Sequence, residues 1–366
     1  MAEPKTLFVT GGTGLVGSHV IEEALARGHR VRALVRASSD TTLLESWGVE
    51  LVHGDFADPD ALRRGVAGVD WVFNCAAKVG DWGQLDDFRT LNVDALRHLL
   101  DAAADARVGR FVHVSSLGVY EARDHQGTDE QVPPAIASLD AYTRSKTEAE
   151  YLALAYVGRP GLPSAEVLAA LPYVRDRLAE STVAGKQPLA VAVVRPGFIY
   201  GERDRTVLPK LLKTLRSRVF RYFGTGETLL NCIYVKNLVH GLFLAAEADG
   251  AVGEVFNLTD GEAVTKKQFI GRVAELDGLP APRRHIPRWL AKVAATLLER
   301  RARRLQATEP PLVNKARYKF NALNLDYSIA KARRVLGYHP PFTTEQGLTA
   351  AMADLAARPS PAAATA

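Results

Sequence analysis

Leu7-Phe-Val-Thr-Gly-Gly-Thr-Gly-Leu-Val-Gly17, LFVTGGTGLVG in one-letter code, sets four glycines within seven positions, behind an apolar run and ahead of a helical pattern, SHVIEEALARG. Glycines at a strand-to-helix turn let the backbone bend tightly and come close to a ligand. The helix start then offers unpaired N–H groups and a partial positive charge to an anion. Such a turn by itself also serves plain chain reversal, so the order of elements decides. Strand, turn and helix follow as required, a second strand is predicted at Val31 to Val35, and a third ends in Gly54-Asp55. The combination predicts a dinucleotide site.

Outward from this turn, TLFVTG, helix 17–27, RVRALVR, VELVHGD, WVFNCAA, helix 86–105, RFVHVSS, helix 141–156 and AVAVVRPG alternate along the chain. Strands separated by helices make a parallel sheet, and near-continuous apolar strands are covered by helices on both faces. The fold expected is α/β, a Rossmann-type doubly wound parallel sheet with a smaller C-terminal α/β lobe. Residues 1–200 form mainly the dinucleotide-binding domain and 201–350 mainly the substrate lobe. Residues 351–366, ending in PSPAAATA, have the composition of a disordered tail. Segment 158–188 is long for a connection. It is expected to hold one or two short helices, with Ser164 as N-cap of AEVLAAL and Pro172 ending it, at the end of the sheet away from the chemistry, in a packing or oligomer-contact role.

A chain of 366 residues with 47% apolar composition can bury a full core. Its 46 Lys and Arg against 41 Asp and Glu leave a net charge of +5, too mild and dispersed to make nucleic acid the expected partner. Cys75 and Cys232 have no paired spacing, so neither a disulfide framework nor a metal site is expected, and a reducing cytoplasm fits. No signal-peptide pattern and no run of about eighteen apolar residues occurs, so neither export nor a membrane span is expected.

At the end of the second strand, where a carboxylate often holds the ribose hydroxyls of NAD, the sequence reads Val35-Arg36. An arginine suits a ribose 2′-phosphate, which favours NADP, although a solvated strand-end arginine is also common and NAD stays open. Tyr142 and Lys146 stand four apart in YTRSK and share a helix face. A fixed cation beside a phenol favours the phenolate and makes tyrosine a usable general acid/base. Ser115 and Ser116, in RFVHVSSLGVY, end a buried strand just upstream. There a hydroxyl points into the crevice where parallel sheets bind ligands.

TGGTGxxG, a strand-end serine and YxxxK together resemble the extended short-chain dehydrogenase/reductase (NAD-dependent epimerase/dehydratase) family over residues 5 to 350. The resemblance implies that Tyr142 exchanges a proton with the substrate oxygen, Lys146 lowers its pKa and binds the nicotinamide ribose, and Ser116 orients the carbonyl or alcohol. It implies Asn92, in LNVDALRHLL, as the asparagine supporting this geometry. Around the cofactor it implies Gly11, Gly14 and Gly17 with Leu15 and Val16, the strand-end Asp55 with Phe56, and the NxAA element from Asn74 to Ala76 and Ala77 with Lys78. The loop from Pro196 through Gly197 and Ile199 to Gly201 is expected to close over the nicotinamide. It further implies a homodimer through the helices around 86–105 and 141–156.

Past residue 200, LLNCIYVKNLVHGLFLAAE, GEVFNLTDGEAVTKKQFIGRVAELDGL and RHIPRWLAKVAATLLE resemble the 3β-hydroxysteroid dehydrogenase and sterol-4α-carboxylate 3-dehydrogenase branch. The implied activity is hydride transfer between NADP or NAD and a secondary alcohol or ketone of a bulky apolar substrate. A dihydroflavonol-reductase-like ketone reductase, supported by AAKVGDWG, a nucleotide-sugar epimerase or dehydratase, and a non-enzymatic cofactor-sensing regulator are the alternatives. Segment 283–304 carries eight Lys and Arg and one acid beside an apolar stripe of Trp289, Leu290, Val293, Leu297 and Leu298. That pattern is compatible with peripheral contact to an anionic membrane, and also with a helix whose apolar side packs on the substrate lobe.

Overall fold

β1 (Thr6–Thr10) is a buried interior strand of the sheet, and its polar end, Thr10, is held by donating to Asn74 Oδ1 at 2.6 Å. β2 (Arg30–Val35) and β3 (Glu50–His53) lie to one side of it, and β4 (Trp71–Asn74), β5 (Arg110–Val114) and the strands Val191–Pro196 and Val255–Leu258 to the other. All seven are parallel. The computed structural model describes residues 3–137, 140–184 and 187–358. Because β2 follows β1 outward on one side and β4 on the other, the strand order reverses at β1. A crevice therefore opens above the carboxyl ends of β1 and β4.

Helices cover both faces, as the apolar strands require. On one face lie α1 (Leu15–Ala26) and the helix Val235–Glu247, and on the other the helices Pro59–Val66, Ala95–Asp105 and Ala141–Ala155. The doubly wound sheet is as expected, but residue 200 is not a boundary in space. Val255–Leu258 returns as the seventh strand, a short apolar run that pairs with Val191–Pro196. In the other direction, His125–Thr128 leaves the sheet domain to pair with Leu325–Tyr327 of the lobe.

Two further expectations are corrected. Residues 351–357 are not a disordered tail. They complete the helix Thr344–Ala357, started by a Thr343/Gln346 capping box and anchored by buried Leu348, Ala351 and Met352, while 359–366 lie outside the described residues. Alanine-rich composition was the misleading sign, since alanine is also the best helix former.

The 158–188 segment holds two helices, Ala165–Ala170, with Ser164 capping Val167 N–H, and Pro172–Glu180, which Pro172 opens. Instead of sitting only at the far end of the sheet, it runs along the helices Ala95–Asp105 and Ala141–Ala155. Tyr173 donates to Asp94 at 2.9 Å, Ser181 to Asp101 at 2.5 Å, and Leu171, Val174 and Val183 join that core. No described residue of Ala141–Ala155 is exposed. Only Ala141, Tyr142, Arg144 and Ala155 of it are partly exposed.

Candidate active site

The glycine turn lies where β1 meets α1. Gly11 has φ +70°, and a Cβ there would stand 2.9 Å from the Ala76 nitrogen, so the turn and the end of β4 touch because this residue has no side chain. A Cβ on Gly17 would stand 2.2 Å from the Gly11 carbonyl oxygen. Gly14 N–H donates to that oxygen at 2.9 Å, and Gly14 heads α1 without a side-chain cap. The first N–H groups of the helix are therefore unclaimed by side chains, which is the provision a pyrophosphate needs. Leu15 and Val16 sit half-buried just behind.

Arg36 is exposed at the end of β2, without a carboxylate partner among the described residues, and no acid precedes it at Val35. Asp55, past the end of β3, is exposed and accepts from Ala57 N–H at 2.9 Å. Phe56 buries its side chain in the core, leaving only its backbone for a ligand. Ala76, Ala77 and Lys78 follow β4, with Ala76 N–H donating to Thr10 Oγ1 at 3.2 Å. Pro196 ends its strand and Ile199 is half-buried in the strand Phe198–Tyr200. Gly197 is packed so closely that a Cβ would fall 1.9 Å from the Asn231 carbonyl oxygen.

Ser116 and Tyr142 come together. Asp140 caps the helix Ala141–Ala155 by accepting from Thr143 N–H at 2.7 Å, which sets Tyr142 in its first turn. Tyr142 lies beside the Ser116 hydroxyl, which accepts from Gly118 N–H at 3.0 Å. Phe88 packs edge-on against the Tyr142 ring at 6.4 Å. Burial raises the Tyr142 pKa above its ordinary 10, and the neighbouring Ser116 hydroxyl opposes this. The expected lowering by Lys146 is not seen in this phenol; the Lys146 ammonium donates to the Val114 carbonyl at 2.6 Å and keeps two further N–H donors. Burial brings Lys146 down to about 8, against the pull of Glu150. As it stands the phenol is protonated and disposed to give a proton, and the Lys146 cation lies buried four residues on along the same helix.

Asn92 touches neither of them. It lies in a π-helical turn, Thr90–Asp94, accepts from Lys78 N–H at 2.7 Å, and donates to the Lys78 carbonyl at 3.1 Å and Ser145 Oγ at 2.9 Å. It thereby ties the loop after β4 to the helix bearing Tyr142, a positioning role. Cys75, at the same strand end, is pushed up to about 12 by burial and is inert as a thiolate.

A buried network escaped the sequence reading. Glu150, one turn beyond Lys146, accepts from Ser115 Oγ at 2.7 Å and from Arg195 Nε at 3.0 Å, with a further bond from Arg195 Nη2. Arg195 also donates to the Tyr120 hydroxyl at 2.6 Å. The signal was available, since the arginine interrupts AVAVVRPG, and a charge in a covered strand must find a partner.

This geometry, a glycine turn against the end of β4 with Ser116 and Tyr142 together at the end of β5, agrees with the comparisons. Residues 7–259 match the NAD dependent epimerase/dehydratase family. The chain belongs to this family. It is 34% identical over 94% of each chain to a 4-hydroxy-2-methyl-3-oxo-4-farnesyl-3,4-dihydroquinoline-1-oxide ketoreductase of Stigmatella aurantiaca. It is 33% identical to a 3 beta-hydroxysteroid dehydrogenase/Delta 5-->4-isomerase of Mycobacterium tuberculosis, over 94% of this chain and 88% of that one. The crystal structure of gox2253 superposes with a TM-score of 0.72 at 27% identity, covering 96% of this chain and 98% of that one. Like these family members, the chain is a nicotinamide-dependent dehydrogenase/reductase.

Proposed function

We propose that the protein reduces a ketone, or in reverse oxidises a secondary alcohol, on a bulky apolar substrate of steroid, sterol or similar kind, with NADP preferred. The observation that carries the chemistry is the placement of Tyr142 beside Ser116 at the carboxyl end of the sheet, with Lys146 buried four residues on along the same helix. Both relatives named above carry bulky apolar substrates in their names. The surroundings support the same class: Phe88 meets Tyr142 edge-on, Val79 is exposed after β4, and the tilted rings of Phe198 and Phe320 have centroids 4.6 Å apart. Lys319 pins the helix Lys315–Ala322 beside the site by donating to the Gly118 and Tyr120 carbonyls at 2.7 and 2.6 Å. The unpaired Arg36 and the absence of an acid at Val35 support NADP.

Gly11, Gly14 and Gly17 would hold the pyrophosphate, Arg36 the 2′-phosphate and Lys146 the nicotinamide ribose. The cofactor supplies the hydride donor or acceptor. In reduction, the carbonyl oxygen accepts hydrogen bonds from Ser116 and Tyr142, the phenol proton passes to the developing alkoxide, and the phenolate left behind is stabilised by the Lys146 ammonium. In oxidation the same proton returns to Tyr142.

The test is nicotinamide absorbance with NADP or NAD and a panel of 3β-hydroxysteroids, 4-carboxysterols, dihydroflavonols, alkyl β-keto acids and nucleotide sugars. Turnover with an apolar alcohol or ketone is expected. Tyr142→Phe should lose about a hundredfold or more in kcat with cofactor affinity nearly unchanged. Product from a nucleotide sugar without net reduction, or retained turnover in Tyr142→Phe, overturns the reading.

A further inference from the structure

Ser116 orients a substrate oxygen only when its own hydroxyl is held. It stands at the head of a short helical turn, Leu117–Val119, that leaves the end of β5. Gly118 N–H donates to Ser116 Oγ at 3.0 Å and fills one of its two lone pairs. The hydroxyl proton is left to point at a ligand. Gly118 lies close to both reacting groups: a Cβ there would stand 3.0 Å from Ser116 Oγ and 3.8 Å from the Tyr142 ring. Whatever holds Gly118 therefore sets how Ser116 faces Tyr142.

Two side chains hold it, both through its carbonyl. Thr143, next to Tyr142 in the first turn of the helix Ala141–Ala155, donates at 3.2 Å. Lys319, from the helix Lys315–Ala322, donates at 2.7 Å and bonds the Tyr120 carbonyl at 2.6 Å with a second N–H. Tyr120 is a fixed point, since it is fully buried and its hydroxyl accepts from Arg195 at 2.6 Å. One amine thus ties the turn that follows Ser116 to a residue the buried network already anchors. Tyr318 and Phe320, on either side of the lysine in sequence, pack with Leu117, Val119 and Tyr120 in one apolar cluster. A charge brought to such a place must find acceptors, and those it takes are the carbonyls of the turn. Burial brings Lys319 down to about 8, against the pull of Asp140 and Glu121. A neutral amine keeps two N–H donors, so the tie persists on either side of that value.

We propose that Lys319, with Thr143, is a positioning residue for Ser116, holding the Gly118 turn so that the Ser116 hydroxyl faces the substrate oxygen. The proposal rests on the reading of Ser116 and Tyr142 given above. It gives the C-terminal lobe a part in the chemistry, because the helix that carries Lys319 also meets Phe198 through Phe320 and Asp81 through Arg317. The lobe that surrounds the substrate also sets the hydroxyl that orients it.

The experiment is a double-mutant cycle on kcat with whichever substrate of the panel is turned over, together with hydrogen exchange of residues 117–120 in the protein without substrate. Lys319→Met keeps the aliphatic stem and removes the donors. It is expected to lower kcat about tenfold, with KM and cofactor affinity nearly unchanged, and to cost almost nothing more in a Ser116→Ala background, because the effect passes through that hydroxyl. Thr143→Val, close in shape, should show the same dependence on Ser116 with a smaller loss, and decides the matter where Lys319→Met fails to fold. Exchange at Gly118 should quicken in Lys319→Met while the helix Ala141–Ala155 keeps its protection. A merely structural role lowers kcat equally in both backgrounds, and that result overturns the proposal. So does an unchanged kcat, or unchanged exchange at Gly118. If nothing in the panel is turned over, the reading of the function fails, and the exchange measurement still decides whether Lys319 holds the turn.

Discussion

Lys146 carries two separate consequences of burial. In the free enzyme it loses its proton near pH 8, below its ordinary 10.5, and with it goes the cation that stabilises the Tyr142 phenolate. The expected result is a fall in kcat/KM above about pH 8, since that ratio reports ionisations of the free enzyme. The fall is not an unfolding effect. A lysine whose pKa is lower folded than unfolded binds fewer protons when folded between the two values, so its contribution to stability rises with pH across 8 to 10.5. Activity and melting temperature should therefore part company in that range, and Lys146→Arg, which stays charged, should lose the alkaline limb. A flat wild-type profile through that range would remove Lys146 from the chemistry. At this scale the tyrosine, lysine and glycines were legible because their roles rest on spacing within a single turn or helix. Asn92 was legible as important but not for its partners, since Lys78 lies 14 residues away and Ser145 53.

The helix Ala141–Ala155 is held as much by its buried charges as by its apolar side. Glu150 is fully buried and Arg195, on a neighbouring strand, is 2% exposed. Two charges in such a place are tolerable only as a hydrogen-bonded pair, and removing one leaves the other uncompensated. Glu150→Ala is expected to cost about 3–5 kcal/mol in urea unfolding, whereas the paired change Glu150→Leu with Arg195→Met should cost clearly less than the two single changes summed. Additive losses would mean that the two charges act independently. The helix boundaries were readable from capping and periodicity. The pairing was not, because 45 residues separate the partners and only the fold sets one beside the other.

For the whole molecule, the 158–188 segment settles how the outer helical layer meets solvent. It packs along the helices that the resemblance assigns to a dimer, burying Leu171 and Val174 there, while Asp86, Asp87, Thr90 and Asp105 of that region stay exposed. The protein is expected to run in light scattering at its chain mass of 39.7 kDa. A dimer would be informative if Trp289→Ser with Leu297→Ser dissolved it, because that would place the contact on the exposed apolar residues of the helix Arg288–Arg304 instead. By itself the sequence determined the βαβ alternation, the glycine turn and the Tyr142–Lys146 pair, all of which depend on neighbours along the chain, where residue type and spacing act directly. Only the tertiary structure decided that Val255–Leu258 closes the sheet, that Glu150 neutralises Arg195 and that Trp289 and Leu297 face out. Each of these depends on what packing brings against a residue from far along the chain, and an amphipathic pattern does not say which of its sides the rest of the protein will cover.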